Sequence, residues 1–318
     1  MEWKIKLKPL FIVLALILTA GIFSACGADA PREKEQDSPS ESIDAVLPPE
    51  EYEPSRAEQV TKALAAAYPR RILKAEYRNS DWAVLLRDTW FYYAEGRLLP
   101  EALVDRASEY SPVIFYNYPA ELPPWTTPTP EQIAQYREWA NARNPNRPQR
   151  SHYFFDALYR AHNYDESNER VKSFRFLGNP VTVHYSILEP LSLVEARILA
   201  ASRTDTQVRA WIDSLGTVTG WGWRTMEGTQ IRSFHSYGVA IDLLPRSLGG
   251  RATFWQWAEP EWWNIPYERR YHPPETVIKA FETYGFAWGG KWPLFDTMHF
   301  EYRPEVFILN GIELPLYW

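Results

Sequence analysis

Residues 238–244 read Gly-Val-Ala-Ile-Asp-Leu-Leu, an apolar run interrupted by one carboxylate, Asp242. The run reads as a strand. A lone aspartate inside it is costly unless it is paired or bound to a metal. His235 lies seven residues upstream, and a second histidine follows in Asp296-Thr297-Met298-His299-Phe300-Glu301. Two imidazoles and a carboxylate form a mixed nitrogen and oxygen donor set. A catalytic zinc takes three protein ligands of this kind and leaves its fourth position open. On residue types alone, a salt-bridged aspartate beside two packing histidines accounts for the same residues, and that alternative stays open at this point.

The spacing around these residues is more specific than their types. Ser233-Phe234-His235-Ser236-Tyr237-Gly238-Val239-Ala240-Ile241-Asp242 is followed by Trp288-Gly289-Gly290-Lys291-Trp292 and then by the Asp296 to Glu301 stretch. These segments resemble the M15 peptidase family, which includes D-alanyl-D-alanine carboxypeptidases and L-alanyl-D-glutamate endopeptidases. The resemblance spans roughly residues 173–310. It implies Zn2+ held by His235, Asp242 and His299. It also implies that Asp296 is the base that takes a proton from the attacking water and returns it to the leaving amine. Arg224, in Gly220-Trp221-Gly222-Trp223-Arg224, stands where the family has a Tyr-Arg-Ser segment. There it resembles an oxyanion or carboxylate clamp, a role that suits a planar guanidinium. Trp223 and Thr225 replace the family's Tyr and Ser. Ser233 is expected to orient the first ligand loop, and Glu301 to support a ligand ring. The implied substrate is the peptide stem of peptidoglycan. The fold is also similar to the zinc-containing Hedgehog signalling domain, so a non-catalytic binding or scaffold lipoprotein is the alternative.

The N-terminus points outside the cytoplasm. Lys4, Lys6 and Lys8 precede an apolar run at 11–23, short for a membrane span but suited to a signal-peptide core. The run ends in Phe23-Ser24-Ala25-Cys26-Gly27, which resembles a bacterial lipobox. Residues 1–25 are therefore expected to be a signal peptide, with lipidated Cys26 tethering an extracytoplasmic cell-envelope protein to the membrane. Cys26 is the chain's one cysteine, so no intrachain disulfide can form. Residues 27–56 carry nine acidic residues, three basic residues and five prolines. Such a stretch buries too little apolar surface to offset its ordering entropy, so 26–56 is expected to be a disordered linker. The net charge of -6 argues against nucleic acid as the main partner. A monomer is expected.

The rest of the chain reads as α+β: a Hedgehog/DD-peptidase-like zinc domain over 171–318, preceded by a mainly helical, aromatic-rich region over 57–170. In the latter, helices are expected at 57–68, at 81–95 and from Thr129-Pro130-Glu131 to about residue 142. In the former, strands are expected at 180–187, 238–244 and 298–302. Helices are expected at 193–201, 207–215 and 275–284, the last closed by Gly285. Trp255, Trp257, Trp262 and Trp263 crowd one stretch between the two motifs, where they either wall a groove or plug the core. His152, His162, His184 and His272 read as packing or surface residues.

Overall fold

The structure, a computed structural model, describes residues 53–315 apart from 142–147, 227, 228, 230 and 259. The apolar run at 11–23, Cys26 and most of the acidic linker lie outside the described residues.

Helix α1 (Arg56–Ala67) begins at Ser55, whose hydroxyl accepts the Glu58 N–H at 3.2 Å. Val60, Leu64 and Ala67 recur at helical spacing and are buried. An antiparallel meander follows: β1 (Ile72–Arg78), β2 (Asp81–Leu86), β3 (Thr89–Tyr92) and β4 (Leu99–Pro100), in that order across the sheet. This corrects the expectation of a helix at 81–95 and places a four-stranded sheet within the region expected to be mainly helical. Asn79 and Ser80, both at positive φ, make the two-residue turn joining β1 to β2, the geometry that favours a tight hairpin. Trp90, Phe91 and Tyr92 are aromatic strand formers, and they pair with Leu85, Val84 and Ala83. Apolar spacing alone could not separate this hairpin from a helix.

Beyond β4 the chain runs through 3-10 turns (Glu101–Glu109) and then extends across residues 110–129. Helix α2 (Pro130–Asn141) opens with the expected cap: the Thr129 hydroxyl accepts the Gln132 N–H at 3.3 Å, and Gln132 Oε1 accepts the Thr129 N–H at 2.8 Å. Helices α3 (Tyr153–Tyr159) and α4 (Tyr164–Arg170) lead into a hairpin of β5 (Val171–Phe176) and β6 (Asn179–His184). Helices α5 (Leu188–Ala201) and α6 (Thr206–Ser214) come next. The second large sheet holds β7 (Leu215–Thr219), β8 (Ala240–Pro245), β9 (Phe286–Trp288) and β10 (His299–Tyr302), in the order β7-β8-β10-β9. Helix α7 (Glu275–Thr283) precedes β9, with Gly285 at φ +81° where the left-handed cap was expected. Helix α8 (Pro304–Leu309) follows β10.

No break in the core falls at residue 170. Val60 and Val84 share one hydrophobic cluster with Phe154, Val183, Ile241 and Phe300, and residues from Pro54 onward make one compact unit. A smaller cluster holds Trp255, Trp262, Trp263 and Phe295, with Ile133 and Tyr136 of α2 packed against it. Three of the four crowded tryptophans therefore plug a core, while Trp257 stays 61% exposed.

Candidate metal centre

Strand register creates the site. In the antiparallel pair of β10 and β8, His299 lies directly opposite Asp242, and on the far side of β8 Thr219 lies opposite the same aspartate. Directly opposed residues have the closest side chains in a sheet. The third residue comes from a short 3-10 turn, Phe234–Tyr237, just ahead of β8. Ser233 starts that turn by accepting the His235 N–H at 3.3 Å. Gly238 ends it at φ +69°, and a Cβ there would meet the His184 backbone nitrogen at 2.7 Å. The glycine is thus required both by its conformation and by the close approach of β6.

The three side chains converge and are nearly sealed, with His235 2%, Asp242 9% and His299 8% exposed. His235 Nε2 lies 3.1 Å from Asp242 Oδ1 and 3.2 Å from His299 Nδ1, and His299 Nδ1 lies 2.9 Å from Asp242 Oδ1. A tetrahedral zinc about 2.0–2.1 Å from each donor has donors roughly 3.3 Å apart. The triangle therefore has nearly the size of one face of a zinc tetrahedron.

The far sides of the rings decide what this triangle is. His235 Nδ1 faces the Gly220 carbonyl oxygen at 2.5 Å, so Nδ1 carries the proton and Nε2 turns a bare lone pair inward. His299 Nε2 faces Glu301 Oε2 at 3.4 Å, which leaves Nδ1 bare in the neutral ring. Asp242 Oδ1 is an acceptor as well. Three acceptors in mutual contact repel unless a cation stands among them. The site's own charge supplies the pull. Burial disfavours an imidazolium at His299, yet the Asp242 and Glu301 carboxylates outweigh it and hold the ring well above its ordinary value. Burial likewise opposes charge on Asp242, and the two histidines override it, so its carboxyl sits below the usual range. A site that draws a proton this strongly can exchange it for a metal ion. These residues fit zinc.

Arg224 stands at the edge of the triangle, and Asp296 lies three residues before His299. The Arg224 guanidinium is half-exposed, with Nη2 3.6 Å from Asp242 Oδ2. Its backbone is pinned to the His235 turn, since its N–H donates to Ser236 Oγ at 3.0 Å and its carbonyl accepts from Ser236 Oγ and from the Ser233 N–H. Asp296 lies on the turn before β10; its N–H donates to the Gly289 carbonyl at 3.0 Å and its carbonyl accepts the His299 N–H at 3.2 Å. Its carboxylate adds to the field that raises His299. Glu301 lies against His299 as expected. His152, His162 and His272 are exposed and His184 is buried.

Sequence reasoning missed the groups that hold the ligands by their backbones or from a distance. Gly220 contributes only a carbonyl, which no side-chain pattern marks, and that carbonyl faces His235 Nδ1. Ser236, inside the first motif, ties the turn to the Arg224 backbone. Tyr116 lies far away in the chain, yet its hydroxyl donates to Glu301 Oε1 at 3.1 Å.

No solved structure matches the chain. Residues 60–115 match a family model described as a domain of unknown function (DUF8518). Residues 227–302 carry His235, Asp242, Asp296 and His299, and this segment matches an M15 peptidase family model described as D-alanyl-D-alanine carboxypeptidase.

Proposed function

We propose that the protein is a zinc-dependent peptidase that hydrolyses peptidoglycan stem peptides, of the D-Ala-D-Ala carboxypeptidase or L-Ala-D-Glu endopeptidase type. The carrying observation is the triangle of His235 Nε2, Asp242 Oδ1 and His299 Nδ1, with 2.9–3.2 Å edges and both far ring nitrogens already committed. When bound, zinc supplies Lewis-acid polarisation of a carbonyl and activation of water.

The chain's own groups do the rest. His235, Asp242 and His299 hold the ion. Asp296, beside His299, takes a proton from the attacking water and passes it to the leaving amine. Arg224 reaches out from the rim of the site, half in solvent, where its fork can bind a substrate carboxylate or the developing oxyanion. The presence of both an acid and a clamp beside the triangle favours turnover over a purely structural metal. In this reading the lipid on Cys26 and the acidic linker hold the catalytic unit at the cell envelope, within reach of its substrate.

Elemental analysis of the purified full chain should find about one zinc per chain. Digestion of purified muropeptides, with the products weighed by mass spectrometry, should show loss of a terminal D-alanine or cleavage between L-alanine and D-glutamate. A chain that folds but takes up no divalent metal after zinc reconstitution overturns the proposal. Intact muropeptides in the presence of bound zinc overturn its catalytic part.

A further inference from the structure

The extended stretch between β4 and α2 lies outside the segment that matches the peptidase model, yet it is tied to the strand that carries His299. Tyr116 OH donates to Glu301 Oε1 at 3.1 Å. Arg303 Nη1 approaches the same oxygen at 3.3 Å, and Arg303 Nη2 donates to the Ile114 carbonyl at 3.2 Å. The Tyr116 carbonyl accepts from Asn310 Nδ2 at 3.2 Å. The Tyr116 ring meets the edge of Trp292 at 5.6 Å between centroids, and Trp292 lies 5.6 Å from the His299 ring. The stretch acts as a strap laid along one side of the metal centre.

Strand periodicity explains why the strap reaches a ligand. His299 and Glu301 are two apart on β10 and share a face, while Phe300 and Tyr302 point into the core. Glu301 therefore offers one oxygen to His299 and the other to Tyr116 and Arg303. A carboxylate buried at 5% exposure can turn to either partner unless both oxygens are fixed. Arg303 divides its donors among Glu305, the Ile114 carbonyl and Glu301, and its 3.3 Å approach to Glu301 is longer than the 3.1 Å bond from Tyr116. Glu305 is in turn bonded by Tyr68 OH at 2.8 Å, from the residue that caps α1.

We propose that Tyr116 is a positioning residue for the zinc ligand His299. Its hydroxyl holds the Glu301 carboxylate in the orientation that receives the His299 Nε2 proton and keeps Nδ1 turned to the metal. The region ahead of the matched segment is thereby part of the metal centre. The inference rests on the zinc-site reading above.

The test is a double-mutant cycle read by zinc affinity, using chelator competition on the full chain. Replacing the outer partner of a ligating histidine typically weakens metal binding about 10–100-fold. Glu301→Gln should fall in that range, and Tyr116→Phe, one step farther out, should weaken zinc about 3–10-fold. Because Tyr116 acts through Glu301, Tyr116→Phe should cost nothing more in the Glu301→Gln background. Tyr110→Phe is the control, since it removes a tyrosine hydroxyl in the same region that meets Tyr153 OH at 3.3 Å, away from Glu301. The visible spectrum of the cobalt-substituted protein should shift in Tyr116→Phe and not in Tyr110→Phe. If Tyr116→Phe binds zinc as tightly as Tyr110→Phe, or if its effect adds fully to that of Glu301→Gln, the positioning role is wrong while the zinc site stands. If the unsubstituted chain binds no zinc, both readings fall together.

Discussion

His235 and His299 reach the same point by different means. His235 is held by main chain: the Gly220 carbonyl takes its far N–H, and the ends of its turn are set by Ser233 and Gly238. The Gly238 carbonyl is fixed in turn by the His184 N–H at 2.8 Å, and the Ser236 carbonyl by the Ser167 hydroxyl at 2.6 Å. His299 is held by charge, in a buried chain of Glu301, Arg303 and Glu305. A carbonyl partner fixes the tautomer and the ring plane. A carboxylate partner also raises the basicity of the ligand. Buried ions must be paired to be tolerated, and each pairing recruits another residue. The neutral side is therefore compact, and the charged side spreads into α1 and the strap.

The largest effects come from removing either side outright. His235→Ala and His299→Ala should each lose zinc and all measurable turnover, since each deletes one of the three proposed ligands. Asp296→Asn leaves both supports intact and should retain near-stoichiometric zinc while turnover falls about 10²–10⁴-fold, the usual contribution of a general acid–base group. Zinc content measured beside muropeptide hydrolysis separates the two classes. Loss of zinc in Asp296→Asn would make that residue part of the cage, and near-normal turnover would move the base elsewhere, to Glu301 first.

The two sides were also unequally legible. Asp242 stood out because a carboxylate within an apolar strand demands a partner, the spacing shared with the M15 family pointed to the two histidines, and the expected strands at 238–244 and 298–302 became β8 and β10. Register then set Asp242 against His299. The charged side was half readable: Glu301 shares a face with His299 by simple alternation, but Tyr116 stands 185 residues from it and no local pattern marks the contact. Gly220 was hidden for another reason, because it contributes a carbonyl and not a side chain. The β1–β4 meander was misread because its signal lay in the Asn79-Ser80 turn, while the apolar spacing beside it also fitted a helix.

Acid should load the neutral side through His184. Its Nε2–H donates to the Tyr159 carbonyl at 3.0 Å and its Nδ1 accepts the Ser186 N–H at 3.2 Å, so the ring is buried in neutral form. Burial, with Arg71 and Arg170 nearby, lowers its pKa to about 3. An unfolded histidine titrates near ~6.5. Between those values the unfolded chain binds a proton that the folded chain refuses, so this contribution is fully present above about pH 6.5 and lost as pH falls toward 3. By pH 4.5 the loss is roughly 2–3 kcal/mol. Unfolding free energies of the chain and of His184→Gln, measured from pH 7 to 4.5, should converge as pH falls. Parallel curves would show that His184 does not carry this acid sensitivity.

One methyl group on the neutral side should have a smaller effect than loss of a ligand or of the base. A Cβ on Gly220 would lie 2.2 Å from the Thr182 carbonyl oxygen and 2.8 Å from Val181 Cγ2, both on β6. Neither can withdraw easily, because the same Thr182 oxygen accepts the Trp221 N–H at 2.6 Å and Val181 is buried. The main chain at Gly220 must move instead, and its carbonyl with it. Gly220→Ala should therefore cost about 1–3 kcal/mol of stability, the usual range for overpacking. Part of that cost should appear only when zinc is bound, since the displaced carbonyl no longer aims the His235 ring. On the charged side Tyr116→Phe strains no backbone, but it removes a hydrogen bond to the buried Glu301 carboxylate, so it should cost about 1–3 kcal/mol in the zinc-free chain as well as weaken zinc. Thermal unfolding of Gly220→Ala with and without zinc makes the comparison. An identical loss in both states would mean that Gly220 serves only the packing of β6 against the sheet, and that the His235 ring is aimed by its own turn.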